Sequence, residues 1–276
     1  MRLAISNIAW DVAEDEAVAR LLARHEVDAI DVAPGKYFPD PAQADAQAIA
    51  RVKAWWADRG IEITGMQSLL FGTTGLNLFG AAAARQAILD RLAAVCRVGA
   101  GLGARWLVFG SPKNRDRAGL TDEETLNQAT AFFRRLGAIA QGQGVTICLE
   151  PNPPCYGANF MTTSLETVDV VERVDHPAIG MQFDTGALTL QHEDPVAVLA
   201  RCASRIAHIH ASEPDLLPLG DGASAHVAIA AAVRAHLPHH TVTIEMLATT
   251  GEPHLDSIAR ALKVASTFYR DAGNAP

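Results

Sequence analysis

The chain has 276 residues, 49% of them hydrophobic, and carries a formal net charge of −8 with a pI near 5.6. This length suits one large domain or two small ones, and the acidic balance disfavours nucleic acid and anionic membranes as partners. The four cysteines form no CxxC pair, the start does not resemble a signal peptide, and no apolar run approaches the roughly 18 residues of a membrane helix. We therefore expect a reduced, cytoplasmic protein.

Short apolar runs alternate with longer amphipathic runs along the whole chain. The patterns predict strands at 3–9, 29–33, 61–68, 105–110, 145–150, 179–184, 206–211 and 241–246. Each strand is followed by a predicted helix, at 14–25, 44–59, 82–98, 122–141, 164–174, 195–202, 226–236 and 253–269. Capping sequences such as Thr121-Asp122-Glu123-Glu124 support several of the helix starts.

Eight strand–helix units in a chain of this size predict a (β/α)₈ TIM barrel, with residues 1–276 as a single domain. The alternative is a doubly wound open sheet, which usually carries a glycine-rich turn after its first strand. The segment at 99–104, GAGLGA, matches G-x-G-x-x-A. It follows a predicted helix and precedes a predicted strand, however, which is the reverse of a dinucleotide-binding motif. We interpret it as a helix C-cap and a tight loop, and the barrel is favoured.

The last four predicted strands end in potential metal ligands, in the order Glu150, Asp184, His210 and Glu245. In a TIM barrel these strand ends meet at one mouth, where active sites lie. A single acidic strand end is more often a cap or a solvated residue, but three carboxylates in a partly dry mouth would repel one another. A divalent cation would relieve this repulsion. Oxygen-rich ligation with one imidazole favours Mn²⁺, with Mg²⁺ or Co²⁺ as alternatives, over structural zinc.

The segments around these residues resemble a known family. LEPNP at 149–153, QFDTGAL at 182–188, HIHASEP at 208–214 and TIEML at 243–247 are similar to the metal-binding strand ends of xylose-isomerase-like sugar isomerases and epimerases. The resemblance extends over essentially the whole chain and implies the same TIM barrel. By this resemblance, which includes the ketose 3-epimerases, the Glu, Asp, His and Glu residues named above would bind the metal ion. Two departures stand out: the ketose 3-epimerases have a sugar-binding histidine and arginine where this chain has Ala187 and Leu216.

The four residues also suggest a reaction. A metal ion chelated by a carbonyl oxygen and its neighbouring hydroxyl acidifies the adjacent carbon and stabilises an enediolate. Glu150 and Glu245 would then act as two acid/bases on opposite faces of a sugar, which gives an epimerase or isomerase. A leaving group one carbon further on would make the same site a lyase or dehydratase. A non-catalytic sugar-binding barrel is the other alternative. An apurinic endonuclease is disfavoured because the early strand ends lack histidines.

Six further residues on strand ends and loops are predicted to contact the substrate: Lys36, Gln67, Lys113, Arg115, Glu213 and His226. The three basic residues are unexpected at a carboxylate-rich mouth, which suggests that they hold an anionic or otherwise large polar group on the substrate. The alternative is that they are ordinary solvated loop residues. A symmetric homodimer is expected only because such dimers are common among soluble proteins.

Overall fold

The computed structural model describes residues 1–270, and the last six residues of the predicted domain, 271–276, lie outside the described residues. Eight parallel strands, β1 to β8 in chain order, close into a barrel: Leu3–Ser6, Ala29–Val32, Glu62–Met66, Trp106–Phe109, Thr146–Leu149, Ile179–Asp184, Ile206–Ser212 and Val242–Glu245. The barrel is closed by β8, which pairs with β1 and places Val242 opposite Leu3. The predicted TIM barrel is therefore confirmed.

The α-helices within residues 1–270, labelled α1 to α10 in chain order, are Asp15–Arg24, Pro34–Tyr37, Ala46–Ala57, Ala82–Leu102, Asp122–Gln143, Ser164–Val174, Thr185–Leu190, Pro195–Cys202, His226–His236 and His254–Phe268. Eight of these helices correspond to predicted ones. The exceptions are α2 and α7, which span 4 and 6 residues directly after β2 and β6. Such short helices show no clear 3.6-residue period, so the sequence pattern did not predict them. None of the helices described is long and apolar enough to cross a membrane.

The strands are apolar on both faces because helices cover the outside of the barrel and side chains fill its interior. The strands β1, β2 and β6 are buried along their whole length. Immediately beside the four candidate ligands in sequence lie Leu149, Phe183, Ile209 and Ile244, all with 0% exposure. Since side chains alternate along a strand, these apolar neighbours and the candidate ligands face opposite sides of the barrel wall.

The glycine-rich segment at 99–104, at the end of α4, allows two helices to pack closely. Helix α4 continues to Leu102 instead of ending at the predicted residue 98, and it is capped by Gly103 with a left-handed φ of 92°. The predicted C-cap is therefore present, but two of the glycines lie inside the helix. A Cβ on Gly101 would lie 2.7 Å from Cγ2 of Ile49 on α3, so glycine allows the two helices to approach closely. This tertiary contact outweighs the low helix propensity of glycine.

Candidate metal centre and active site

Four potential ligands converge at the C-terminal mouth of the barrel. Glu150 directly follows β5, Asp184 ends β6, His210 lies in β7 and Glu245 ends β8. One ligand atom from each lies within 4.8 Å of the others. The Nδ1 atom of His210 is 3.1 Å from Oε2 of Glu245 and 3.6 Å from Oε1 of Glu150. The structure therefore brings together the four residues that the sequence placed at successive strand ends.

The electrostatics of this cluster suit a divalent cation. Burial, together with the carboxylates of Glu150 and Glu245, raises the pKa of Asp184 to about 7. Burial would lower the pKa of His210, but the same glutamates and Asp31 raise it well above its ordinary value. Although Nδ1 of His210 lies close to Glu245, it makes no hydrogen bond of acceptable geometry with any described residue. Crowded carboxylates beside a buried, unpartnered imidazole nitrogen form a donor set that fits a divalent ion.

The orientation of Asp184 is set by two hydrogen bonds. Its Oδ1 accepts from the backbone N–H of Ala187 at 2.7 Å, which makes Asp184 the N-cap of α7. Its Oδ2 accepts from Oγ of Ser212 at 2.8 Å, and that hydroxyl accepts in turn from the backbone N–H of Gly186 at 2.9 Å. The side chain is therefore held by both the helix start and the end of β7, with lone pairs left for a ligand.

Glu150 is supported by Asn152 and Arg115. The side-chain amide of Asn152 donates to Oε2 of Glu150 at 3.0 Å, and Nη1 of Arg115 donates to the Glu150 backbone oxygen at 2.8 Å. Arg115 is completely buried, and burial lowers the pKa of its guanidinium to about 10, against the raising effect of Glu150 and Glu166. Arg115 therefore supports the strand end from within the protein and does not line the cavity.

A cavity of about 280 Å³ lies above the cluster, and Glu150, Asp184 and Glu245 line it. Its walls are largely apolar and include Leu69, Leu70, Phe71, Phe109, Ala187 and Leu216. Of the residues that the structure describes, no lysine or arginine lines this cavity. The polar side chains that do line it carry no positive charge, so the cavity combines an acidic floor with apolar walls.

Gln67 and Glu213 are the predicted substrate contacts that line the cavity. Glu213 is strongly held, since its Oε1 accepts from the backbone N–H of Gly220 and lies 2.9 Å from Nε2 of His226. The other ring nitrogen of His226 is 2.8 Å from the hydroxyl of Tyr269. The buried His226 therefore does not line the cavity, and it orients Glu213 from behind.

The remaining basic residues also lie outside the cavity lining. The ammonium group of Lys36 donates to the backbone oxygen of Trp10, and the Lys113 side chain is exposed to solvent. None of Lys36, Lys113 and Arg115 is among the described residues that line the cavity. The expected anion-binding rim rested on their positions in the sequence, whereas in the structure Arg115 is buried, Lys36 donates to Trp10 and Lys113 is exposed.

Several residues of the site were not singled out from the sequence. Ser212 lies two residues after His210 on the same face of β7, and this period-2 spacing was a usable signal. Asn152 lies two residues after Glu150, beyond the end of β5. Tyr156 and Asp215 carried no such signal. The Tyr156 hydroxyl accepts from the backbone N–H of Asp215 at 2.7 Å and thereby joins the loops after β5 and β7. Asp215 and Leu216 have φ values of 59° and 52°, an uncommon left-handed backbone beside the cavity.

Comparison with known proteins agrees with this architecture. A family model described as a xylose isomerase-like TIM barrel matches residues 19–267. An inosose dehydratase of Lacticaseibacillus casei is 32% identical over 99 residues, a match that covers 34% of this chain and 30% of that protein. A solved L-ribulose 3-epimerase aligns with a TM-score of 0.81 at 18% identity, covering 100% of this chain and 99% of the other. The IOLI protein, solved with a zinc atom, aligns with a TM-score of 0.77 at 16% identity, covering 98% of each chain.

Proposed function

The chain belongs to the xylose isomerase-like TIM barrel family, and we propose that it is a divalent-metal-dependent epimerase or isomerase acting on a neutral keto-sugar. The observation that carries this proposal is the approach of Glu150, Asp184, His210 and Glu245 to within 4.8 Å beneath a cavity. A divalent cation held by these residues, with Mn²⁺ the favoured ion, would polarise the carbonyl and adjacent hydroxyl of the sugar. The IOLI protein with its zinc atom and the 3-epimerase are structures with the same fold.

Differences in exposure suggest separate roles for the four residues. The side chains of Glu150 and Glu245 are 14% and 12% exposed and line the cavity, whereas the His210 side chain is 0% exposed. Both oxygens of Asp184 already accept hydrogen bonds within the protein. The two glutamates are therefore the groups available to remove a proton from the carbon next to the carbonyl and to return one. All four residues would hold the ion, and Asp184 and His210 would serve only as ligands.

The lining of the cavity supports a neutral substrate. None of the described cavity residues is a lysine or an arginine, and three carboxylates form the floor. An anionic group would find no cationic side chain in this lining and would be repelled by the carboxylates wherever the ion does not neutralise them. Leu216 occupies the position at which the ketose 3-epimerases carry an arginine, and it contributes an apolar wall. We therefore propose an uncharged keto-sugar in place of the anionic substrate that the basic loop residues suggested.

Metal binding and proton exchange test the proposal separately. Chelator-stripped protein titrated with Mn²⁺ in a calorimeter is expected to bind one ion, and Asp184→Ala and His210→Ala should each abolish that binding. With a panel of neutral ketoses, inososes and keto-glycosides in ²H₂O, the wild type should incorporate ²H at one carbon. The variants Glu150→Gln and Glu245→Gln should both lose this exchange. Exchange retained in both variants would exclude the two-base scheme, and a wild type without exchange would favour a sugar-binding barrel.

A dehydratase is the second candidate, and a specific observation favours it: the sequence match to inosose dehydratases. That match spans less than a third of each relative's length. Removal of a proton next to the carbonyl is common to both reactions, and the dehydratase then expels a hydroxyl one carbon further on. Mass spectrometry of the product separates the two outcomes. Loss of water from an inosose or keto-glycoside identifies a dehydratase, and an unchanged mass with ²H exchange identifies an epimerase or isomerase.

A further inference from the structure

The carboxylate of Asp31 lies on the side of the His210 ring that faces away from the glutamates of the candidate metal centre. Asp31 belongs to β2, is 0% exposed, and its Oδ2 lies 2.9 Å from Nε2 of His208 and 3.9 Å from Nε2 of His210. Its Oδ1 accepts from the hydroxyl of Thr64 at 2.9 Å. An ionised carboxylate in a barrel interior is unfavourable unless it is paired and hydrogen-bonded; the Thr64 hydroxyl supplies one hydrogen bond, and Oδ2 has no hydrogen-bond partner among the described residues.

The backbone is shaped to admit this carboxylate. The pairing of β2 with β3 shifts register between Ile30 and Asp31, so that Asp31 lies opposite Gly65. A Cβ on Gly65 would lie 2.6 Å from Oδ1 of Asp31, closer than any side chain can approach. The bulge and the glycine together make room for the Asp31 carboxylate, whereas an ordinary core position would be filled by an apolar residue.

The two nitrogens of His210 face different groups. Nδ1 faces the glutamates of the candidate metal centre, at 3.1 Å from Glu245, whereas Nε2 faces Asp31. Neither nitrogen has a hydrogen-bond partner among the described residues. A neutral imidazole that binds a metal through Nδ1 must carry its proton on Nε2, and a carboxylate that accepts this proton selects the tautomer and fixes the ring.

We propose that Asp31 is a positioning residue that accepts the Nε2–H of His210 and so keeps the lone pair of Nδ1 directed at the metal ion. This inference rests on the proposed metal centre. The separation of 3.9 Å exceeds a hydrogen bond, so this role requires the His210 ring or the Asp31 carboxylate to shift when Nδ1 is engaged. On the other side of Asp31 lies His208, whose Nδ1 is 3.0 Å from Oε1 of Gln182.

The direct test is the metal affinity of Asp31→Asn, which preserves the shape of the side chain and removes its charge. Loss of such a partner typically weakens metal binding 10- to 100-fold, and we expect Mn²⁺ affinity in calorimetry to fall by that factor. The matched control is Asp15→Asn, another buried carboxylate, whose oxygens accept from Trp10 and Tyr37 away from the site. The control should keep the wild-type affinity, because a general loss of stability does not change the ligand geometry.

A second readout reports on the ring itself. In Zn²⁺-loaded protein with ¹⁵N-labelled histidine, NMR should show His210 protonated at Nε2 and metal-bound at Nδ1, and Asp31→Asn should broaden or lose this signal. If Asp31→Asn does not fold, Thr64→Val removes the hydrogen bond to Oδ1 while keeping the carboxylate, and a several-fold loss of affinity is expected.

The outcomes separate this inference from the proposed function. Wild-type protein that binds no Mn²⁺ would overturn both. Wild-type binding with unchanged affinity in Asp31→Asn, or in Thr64→Val where Asp31→Asn does not fold, would overturn only the role of Asp31. Two bound ions in the wild type and one in Asp31→Asn would also overturn it, since Asp31, His208 and His210 would then hold a second ion themselves.

Discussion

Gly110 lies directly against the carboxylate of Glu150, and a Cβ at position 110 would be 1.9 Å from Oε2. The variant Gly110→Ala must therefore move the Glu150 carboxylate from its present position. We expect Mn²⁺ affinity to fall by roughly tenfold or more, equivalent to at least ~1.4 kcal/mol of binding free energy, with ²H exchange reduced further. Calorimetry and exchange kinetics measure the two effects. Gly35→Ala is the control, because a Cβ there meets nothing within 4 Å, and equal losses in both variants would contradict the steric explanation.

Arg115 and Lys113 are two residues apart but should respond to substitution in different ways. Arg115→Met removes the donor to the Glu150 backbone oxygen, and a buried acceptor left unpaired costs about 1–3 kcal/mol of unfolding free energy. Lys113→Ala changes an exposed side chain and should alter that free energy by less than ~0.5 kcal/mol. Urea denaturation measures both. Because the Lys113 side chain is not part of the cavity lining, Lys113→Ala should also leave KM unchanged. A raised KM would instead support an anionic substrate held by Lys113.

Phe71 is 84% exposed and lines the cavity, so it is available to pack against a bound sugar. We expect Phe71→Ala to leave the melting temperature nearly unchanged and to raise KM by roughly two- to tenfold, because an aromatic contact contributes about 0.5–1.5 kcal/mol. Steady-state kinetics on the active substrate measure the effect. Val227→Ala removes a side chain that is 66% exposed on α9 and not part of the cavity lining, so its KM should match the wild type. The packing role is wrong if both variants show the same KM.

Glu213 should make stability depend on acid pH. Burial alone would raise its pKa, but hydrogen bonds from His226 and from the backbone N–H groups of Ser224 and Gly220 lower it from 4.5 to about 2. The unfolded chain therefore binds a proton more readily, so this stabilisation is complete above pH 4.5 and is lost as the pH falls toward 2. Glu213→Gln should flatten the pH dependence of the unfolding free energy in this interval. The variant Glu123→Gln, at the exposed start of α5, should retain the wild-type slope.

The architecture could be predicted because its determinants are local and repeated. Each strand and long helix has its own periodicity, and some helices also have local caps, such as the reciprocal hydrogen bonds between Thr121 and Glu124 at the start of α5. Eight repeats of one unit then leave the closed barrel as the favoured arrangement. The details that differed from prediction involve contacts between distant segments. The continuation of α4 through Gly101 depends on Ile49 of α3, which no local pattern reveals.

The sequence by itself determined the four candidate ligands, because Glu150, Asp184, His210 and Glu245 stand at strand ends and parallel strands in a barrel end at the same mouth. Only the tertiary structure decided which other charged side chains lie close to these four residues. A loop residue carries its charge wherever the loop runs, and only the folded path buries Arg115 and leaves Lys113 in solvent. In the same way Asp31, far from His210 in the chain, lies beside its ring because the barrel interior brings side chains of non-adjacent strands into contact.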